Sequence, residues 1–568
     1  MTASRPRLTI CAALLISALA APAAAQDGLT GAYLSAKTAF SERDYIAAAE
    51  YYEEVLDLDE QAPRAMENAA AAHLAMGDMD ATIAMAERLA QADRDSSAAR
   101  MARLVERLDA EDYDAAIDLL EGDGGILPVI DGLVSGWAHL GAGRTDAAHA
   151  AFEQLSERGL GQIADYHAAL AHALEGDFEA ADALMSGGDD DPLHFTPRAI
   201  IAHAKVLGAR DRGEEAIELL DRNFGADAPP EVGALTARLD AGEPISFDML
   251  EHPIDGAAEA FFDVATALER ELEPQEVLLY MRVAEYLRPD HADALMATAQ
   301  LLSGIDRHDL AAEAFARVTS DHPSYHIAEI GRAEALHRGG DLDAALELLD
   351  ELAETHDEIS AVHEARGDIL RREERWDDAS AAYDRAIDRI ASPDRRHWVV
   401  FYTRAITHER GDRWDAAEAD FRKALELEPD QPDVLNYLGY SLVEKGRDLE
   451  EARAMIETAH EARPDSGYIT DSLGWVLFKL GEPEEALPYM ERAAELMPDD
   501  PIVNDHLGDV YWAVGREREA EFQWRRALSF DPEPDEAERI RRKLDIGLDM
   551  VLDEEGESPA WREADSGG

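Results

Sequence analysis

One period of about 34 residues dominates this 568-residue chain and leaves it few ways to fold. It is clearest from Phe261 onward. Each unit carries Ala or Gly in its first half, an Ala about twelve residues later, and a bulky residue four beyond that. A small residue follows three further on, and often a Pro five after it. The last unit reads Gly508, Ala520, Trp524, Ala527, Pro532, and the one before it Gly474, Ala486, Met490, Ala493, Pro498. A repeat of this length describes a stack of helix pairs rather than one globular core, because each pair hides its apolar face only against its neighbours. Such stacks present long surfaces, so the period also points toward binding rather than chemistry.

The offsets have a physical reason. Where two short amphipathic helices cross, only Ala or Gly lets the backbones approach, so Gly474 and Ala486 read as packing positions and Trp524 as the plug beside them. Gly446, Gly481 and Gly515 fall where the first helix of a unit ends, the usual place of a left-handed C-cap. Pro464, Pro498 and Pro532 stop the second helix, and Asp465 and Asp499 follow as expected N-caps.

These positions resemble the tetratricopeptide repeat. Its small residue at position 8 matches Ala265, Ala299, Ala333, Gly367, Ala405, Gly439, Gly474 and Gly508, with gaps of 34, 34, 34, 38, 34, 35 and 34. Position 20 follows at Val277, Ala311, Ala345, Ala379, Ala417, Ala452, Ala486 and Ala520. Ala391 stands where Pro is usual, and four extra residues lie around Pro393 to His397. The resemblance implies an all-α fold, a right-handed superhelical solenoid of antiparallel helix pairs.

The N-terminal half carries a fainter version. Ala36 with Ala48 and Tyr52, Gly136 with Ala148 and Phe152, and Ala204 with Ala216 and Leu220 repeat the pattern, and Ala70, Leu104 and Ala169 fill the intervals. Between Ala228 and Gly256 the rhythm breaks at Pro229, Pro230, Pro244 and Pro253, which marks a seam between two solenoid segments. The expected organisation is a leader at 1–25, degenerate repeats at 26–224 and a Pro-rich linker at 225–256. A regular array at 257–532, a capping helix at 533–550 and a disordered acidic tail at 551–568 complete it. The Ala-rich N-terminal helices are expected to bury less and to open first.

Arg5 and Arg7 precede an apolar run from Leu8 to Ala20, and Ala23-Ala24-Ala25 follow, the pattern of a secretory signal peptide. The chain is therefore expected in the periplasm, or secreted or attached peripherally to the outer membrane. Cys11 is the one cysteine and would leave with the leader, so thiolate chemistry is not expected in the remainder. Acids number 121 against 53 Lys and Arg, a net charge of −68, which becomes −70 when Arg5 and Arg7 are removed. A field of this sign repels phosphate backbones and anionic headgroups, so nucleic acid is not an expected partner. No later run is long and apolar enough to span a bilayer, so no membrane span is expected in the mature chain.

In tetratricopeptide arrays the first helix of each unit lines the concave surface. The resemblance places Tyr402 and Ile406, then Asn436, Tyr440 and Glu444, on that surface. It adds Tyr468, Asp471, Trp475, Phe478 and Lys479, then Ile502, Asp505, Asp509 and Trp512. Aromatic residues make up 7 % of the chain, so this concentration singles out the last units as a partner-binding groove. Trp475 and Trp512 are the rings expected to face solvent. Asp471, Asp505 and Asp509 would repel a free C-terminal carboxylate, so the expected ligand is an extended or helical segment of a protein, bearing Arg or Lys.

Catalytic signatures are scarce. There is no Gly-x-Ser-x-Gly, no phosphate-binding Gly-rich loop and no His-Glu-x-x-His. His167 and His172 are five apart, off the spacing at which one helix offers two metal ligands, and read as packing residues. No cofactor, metal or enzymatic activity is expected. The leading reading is a non-catalytic scaffold of the bacterial cell envelope. The alternative is a regulatory or adaptor subunit of a cell-wall or exopolysaccharide enzyme.

Overall fold

The computed structural model describes residues 28–556 except 123–124, 188–192, 194–195 and 226–227. The expected leader and residues 557–568 of the expected tail lie outside that range. Among the described residues the chain is helical throughout, without strands, and forms two compact units that divide between Thr355 and His356. No helix among them is long and apolar enough to cross a membrane.

The repeat register holds in both units. The position-20 residues from Val277 to Ala520 are all buried, and so are Ala36, Ala48, Ala70, Leu104, Ala148, Ala169, Ala204 and Ala216. The small residue at position 8 packs on the bulky residue sixteen positions later. A Cβ added to Gly508 would stand 2.4 Å from Trp524, to Gly474 2.9 Å from Met490, and to Gly136 2.4 Å from Phe152. Even a methyl group is crowded at these glycine crossings, and nothing larger fits the alanine ones, which is why the period is written in Ala and Gly. The left-handed caps expected at Gly446, Gly481 and Gly515 are present, with φ of 60°, 86° and 76°. The N-cap expected at Asp499 is instead Asp500, whose side chain accepts from the amide of Val503 at 3.0 Å. Ser466, not Asp465, precedes the helix Gly467–Lys479, and it makes no side-chain cap.

The N-terminal unit contains six blurred helix pairs, the extra helix Pro230–Asp240 and three regular pairs. It is not a simple row. The first helices of four blurred pairs (Pro63–Met76, Ser97–Asp109, Pro128–Gly141 and Gly161–Leu174) pack against the regular pair Pro253–Leu268 and Pro274–Leu287. Trp137 sits on Gly256, and Arg282 donates to the carbonyl of Ala75 at 3.1 Å. The Pro-rich segment therefore lies inside this unit, with Ile245, Met249 and Leu250 buried, and not between the units. Small side chains in the blurred repeats are what let this second layer of helices come close.

The C-terminal unit stacks five pairs in sequence. They run from Ser360–Arg372 with Trp376–Arg389 to Pro501–Ala513 with Glu517–Ala527. The four extra residues form a 3₁₀ turn at Arg395–His397. The closing segment is two helices, Pro534–Ile546 and Leu548–Glu555, broken at Gly547 with φ 80°. Val551 and Leu552 are buried in the second, so the expected tail begins as packed helix.

Candidate functional site

The first helices of the C-terminal pairs open a groove of about 340 Å³ lined by Asn436, Tyr437, Tyr440, Tyr468, Asp471 and Ile502, with Glu409 and Glu444 among the acids at its edge. The helix Pro432–Glu444 supplies Asn436 and Tyr440 one turn apart, and the next first helix places Tyr468 and Asp471 on the matching face. Tyr468 is 66 % exposed and Ile502 41 % exposed. These two residues form an apolar lip above a polar floor. Burial, then the charges of Glu444, Asp471 and Glu536, push the Tyr440 phenol above its ordinary range, so it is a neutral donor. The Asn436 side-chain carbonyl is buried without a hydrogen-bond partner.

The remaining expected groove residues fall elsewhere. Trp475 and Phe478 are buried at 5 % and 3 % exposure, their rings stacked at 5.0 Å. The other face of Trp475 lies 3.8 Å from the ring of His506, and its indole N–H donates to Glu444 at 2.6 Å. The expectation that Trp475 faces solvent is thus wrong: position 9 of this unit meets the next first helix before it meets the groove. Lys479 is half-buried, with its Nζ 5.2 Å from the centre of the Trp475 ring. Tyr402 belongs to a packing cluster with Trp398, Phe421 and Tyr437, and burial pushes its phenol up to about 12. Trp512 is also half-buried, against Trp524 at 5.4 Å and over Gly547.

The three aspartates expected to meet a ligand are engaged by the chain itself. Asp471 pairs with His506 at 2.9 Å. Asp505 and Asp509 both hold Lys543, each at 2.7 Å, and Lys543 is fully buried. Arg539 adds a looser contact to the same pair. The helix Pro534–Ile546 therefore covers Asp505 and Asp509 of the last repeat, and the open groove is built on the repeats before it with Asp500, Ile502 and Val503 at its edge. Tyr437, Ser441, Asp500 and Val503 line it as well, although the repeat positions do not single them out. In the sequence Tyr437 is only one more ring beside Tyr440.

Three segments match known families. Residues 394–531 match a family described as tetratricopeptide repeat, 255–406 one described as tetratricopeptide repeat-like domain, and 133–186 another described as tetratricopeptide repeat. A TPR repeat-containing protein of Pseudomonas aeruginosa is 28 % identical over 156 residues, 27 % of this chain and 26 % of that protein. Bacteriophage adsorption protein A of Escherichia coli K12 is 34 % identical over 83 residues, 15 % of this chain and 8 % of that protein. The chain thus spans about a quarter or less of the length of these relatives. The APC/C hetero-tetramer Cut9-Hcn1 has a chain that aligns with 92 % of this one and is itself 96 % covered, at 16 % identity and a TM-score of 0.38.

Proposed function

As a member of the tetratricopeptide repeat family this chain is a scaffold for protein–protein interaction, and we propose that it takes a partner segment in the groove between Tyr440, Tyr468 and Ile502. The observation that carries this reading is the exposed pair Tyr468 and Ile502 at one open groove. Rigid aromatic side chains at a concave surface offer large contact area for little lost entropy. The neutral phenol of Tyr440 adds a hydrogen-bond donor on the floor. Glu409, Glu444 and Asp500 outnumber Arg410 and Lys445 around the groove and favour a segment that carries Arg or Lys beside an apolar anchor.

We place this binding in the bacterial cell envelope, on the periplasmic side, from the charged start, apolar run and Ala-x-Ala of residues 1–25. No argument of chemistry requires the chain to act as an enzyme. A photo-crosslinking residue substituted for Tyr468 in living cells tests the groove, with Phe522 as control, since it is 62 % exposed but does not line the groove. A discrete product from position 468 that is missing from position 522 is expected. The same products from both positions would reject the groove.

A further inference from the structure

Away from the groove, one side-chain cluster of the N-terminal unit has the chemistry of a cation site. His149 lies on the helix Thr145–Leu155, His172 on the helix Gly161–Leu174, and Glu175 at the C-cap of the latter. The two imidazoles stack with centroids 4.0 Å apart and planes 18° from parallel. One ligating atom from each of the three side chains lies within 4.8 Å of the other two. We propose that His149, His172 and Glu175 bind one divalent first-row transition-metal ion, with Zn²⁺ the best match to two imidazoles and a carboxylate.

His167 and His172 share one helix but, as their five-residue spacing implies, face different partners. His167 accepts from the Trp137 indole at 3.0 Å and lies 3.2 Å from Asp263, fully buried. His172 turns instead to the preceding helix and meets His149.

The spacing admits a shared ion. Two ligand atoms each about 2.1 Å from Zn²⁺ at a tetrahedral angle stand about 3.4 Å apart. His149 Nε2 and Glu175 Oε2 are in hydrogen-bond contact at 3.3 Å, a separation that an ion between them would also give. Imidazole lone pairs lie in the ring planes, so the stacked rings must turn about their Cβ–Cγ bonds before both nitrogens face one cation beside the carboxylate.

Surrounding groups fix the ligands as they do in metal centres. The Thr145 hydroxyl donates to Glu175 Oε1 at 2.6 Å, which leaves Oε2 turned to His149. Asp177 Oδ2 lies 3.9 Å from His172 Nδ1, so a carboxylate faces the nitrogen that would point away from the ion and Nε2 is left to bind it. Nitrogen donors disfavour Ca²⁺ and Mg²⁺, which prefer oxygen shells. His149 and Glu175 side chains are 24 % and 29 % exposed, enough for an ion to enter and for water to complete a tetrahedron. The bound ion would fasten consecutive helix pairs across the turn Ser156–Leu160, where Gly159 has φ 90°.

The full chain, stripped with a chelator and titrated with Zn²⁺ by calorimetry and with Co²⁺ by visible absorption, tests the site. One tight equivalent per chain is expected, with the absorption of tetrahedral Co²⁺. Thr145→Val should weaken binding by about 10-fold, and His149→Ala or His172→Ala by more than the ~100-fold upper range of such outer changes. Circular dichroism establishes that the variants fold. Absence of a tight equivalent, or a tight equivalent that survives both histidine substitutions, overturns the assignment, the second outcome showing that surface carboxylates hold the ion.

Discussion

The ammonium of Lys543 stands 2.7 Å from both carboxylate oxygens of Asp509, with no solvent exposure of its own. Asp505 approaches from the same helix as Asp509, and the Trp524 indole donates to Asp509 at 2.9 Å. One buried ammonium thus answers two carboxylates, with Arg539 more loosely placed beside them. Lys543→Met leaves them facing each other in a buried place and should cost about 3–5 kcal/mol. Adding Asp505→Asn and Asp509→Asn to that variant should recover most of the loss, since replacing a whole buried ion cluster is nearly neutral. Urea unfolding followed by tryptophan fluorescence measures both, and equal stability of the single and triple variants would contradict the account.

Two glycines at the same repeat position should respond differently to alanine. In a helix interior the exchange gains about 1 kcal/mol. At Gly508 the new methyl lies 2.4 Å from the Trp524 ring, which is fully buried and has nowhere to turn. Overpacking of this kind costs about 1–3 kcal/mol, so Gly508→Ala should lower the melting temperature. At Gly474 the neighbour is the flexible Met490 side chain at 2.9 Å, and the two effects should nearly cancel. Thermal melts of the pair decide it; equal shifts would mean that the ring relaxes as easily as the thioether.

Stability and binding should separate cleanly between Trp475 and Tyr468. Trp475→Ala opens a cavity in a stack of three rings and should cost about 3–5 kcal/mol. Tyr468→Ala removes a side chain that is 66 % exposed and should change stability by less than about 0.5 kcal/mol. Affinity for a partner recovered by crosslinking should fall at least tenfold in Tyr468→Ala. Parallel chemical denaturation and binding titrations make the comparison, and unaltered affinity there would remove Tyr468 from the groove.

His506 gives the last repeats a pH dependence. Burial pulls its pKa down, but the Asp471 charge and hydrogen bond, with Asp505 and Glu444 behind them, outweigh that and hold it above its usual value. The folded state therefore prefers the protonated ring. Its contribution is complete below the unfolded value of about 6.5 and is lost as pH rises through the raised folded pKa. Each tenfold gain in the ring's proton affinity on folding is worth about 1.4 kcal/mol. Unfolding free energies measured upward from about pH 6 should decline in the native chain and decline less in Asp471→Asn. Identical slopes would exclude this pair as the cause.

The repeat positions were readable because packing dictates them: Gly508 and Trp524 meet in space as their spacing implied. What one sequence could not display was the use of a face by a distant helix. Nothing local distinguishes Ala75, whose carbonyl accepts from Arg282 more than two hundred residues away, from the same residue facing water, so the blurred repeats read as weakly packed. In the structure, residues on several sides of Pro63–Met76 are buried, which removes the reason to expect this helix to open early. Trp475 misled for a related reason. Position 9 is concave in the pattern, but a ring large enough to span to His506 is drawn into the next crossing. Tyr468 kept its expected place because it projects into solvent, and Tyr440 kept its place on the groove floor.

A stack of helix pairs has no natural last member, since every exposed end is a template for another pair from any source. Lys543 turns the final repeat from an open end into a closed one by filling its inner positions with the chain's own helix. The inner face of that repeat is thereby occupied, by one ammonium between two acids. A version ending at Pro532 would offer Asp505, Asp509 and Trp512 to its neighbours, and its size in solution should grow more steeply with concentration than the native chain's.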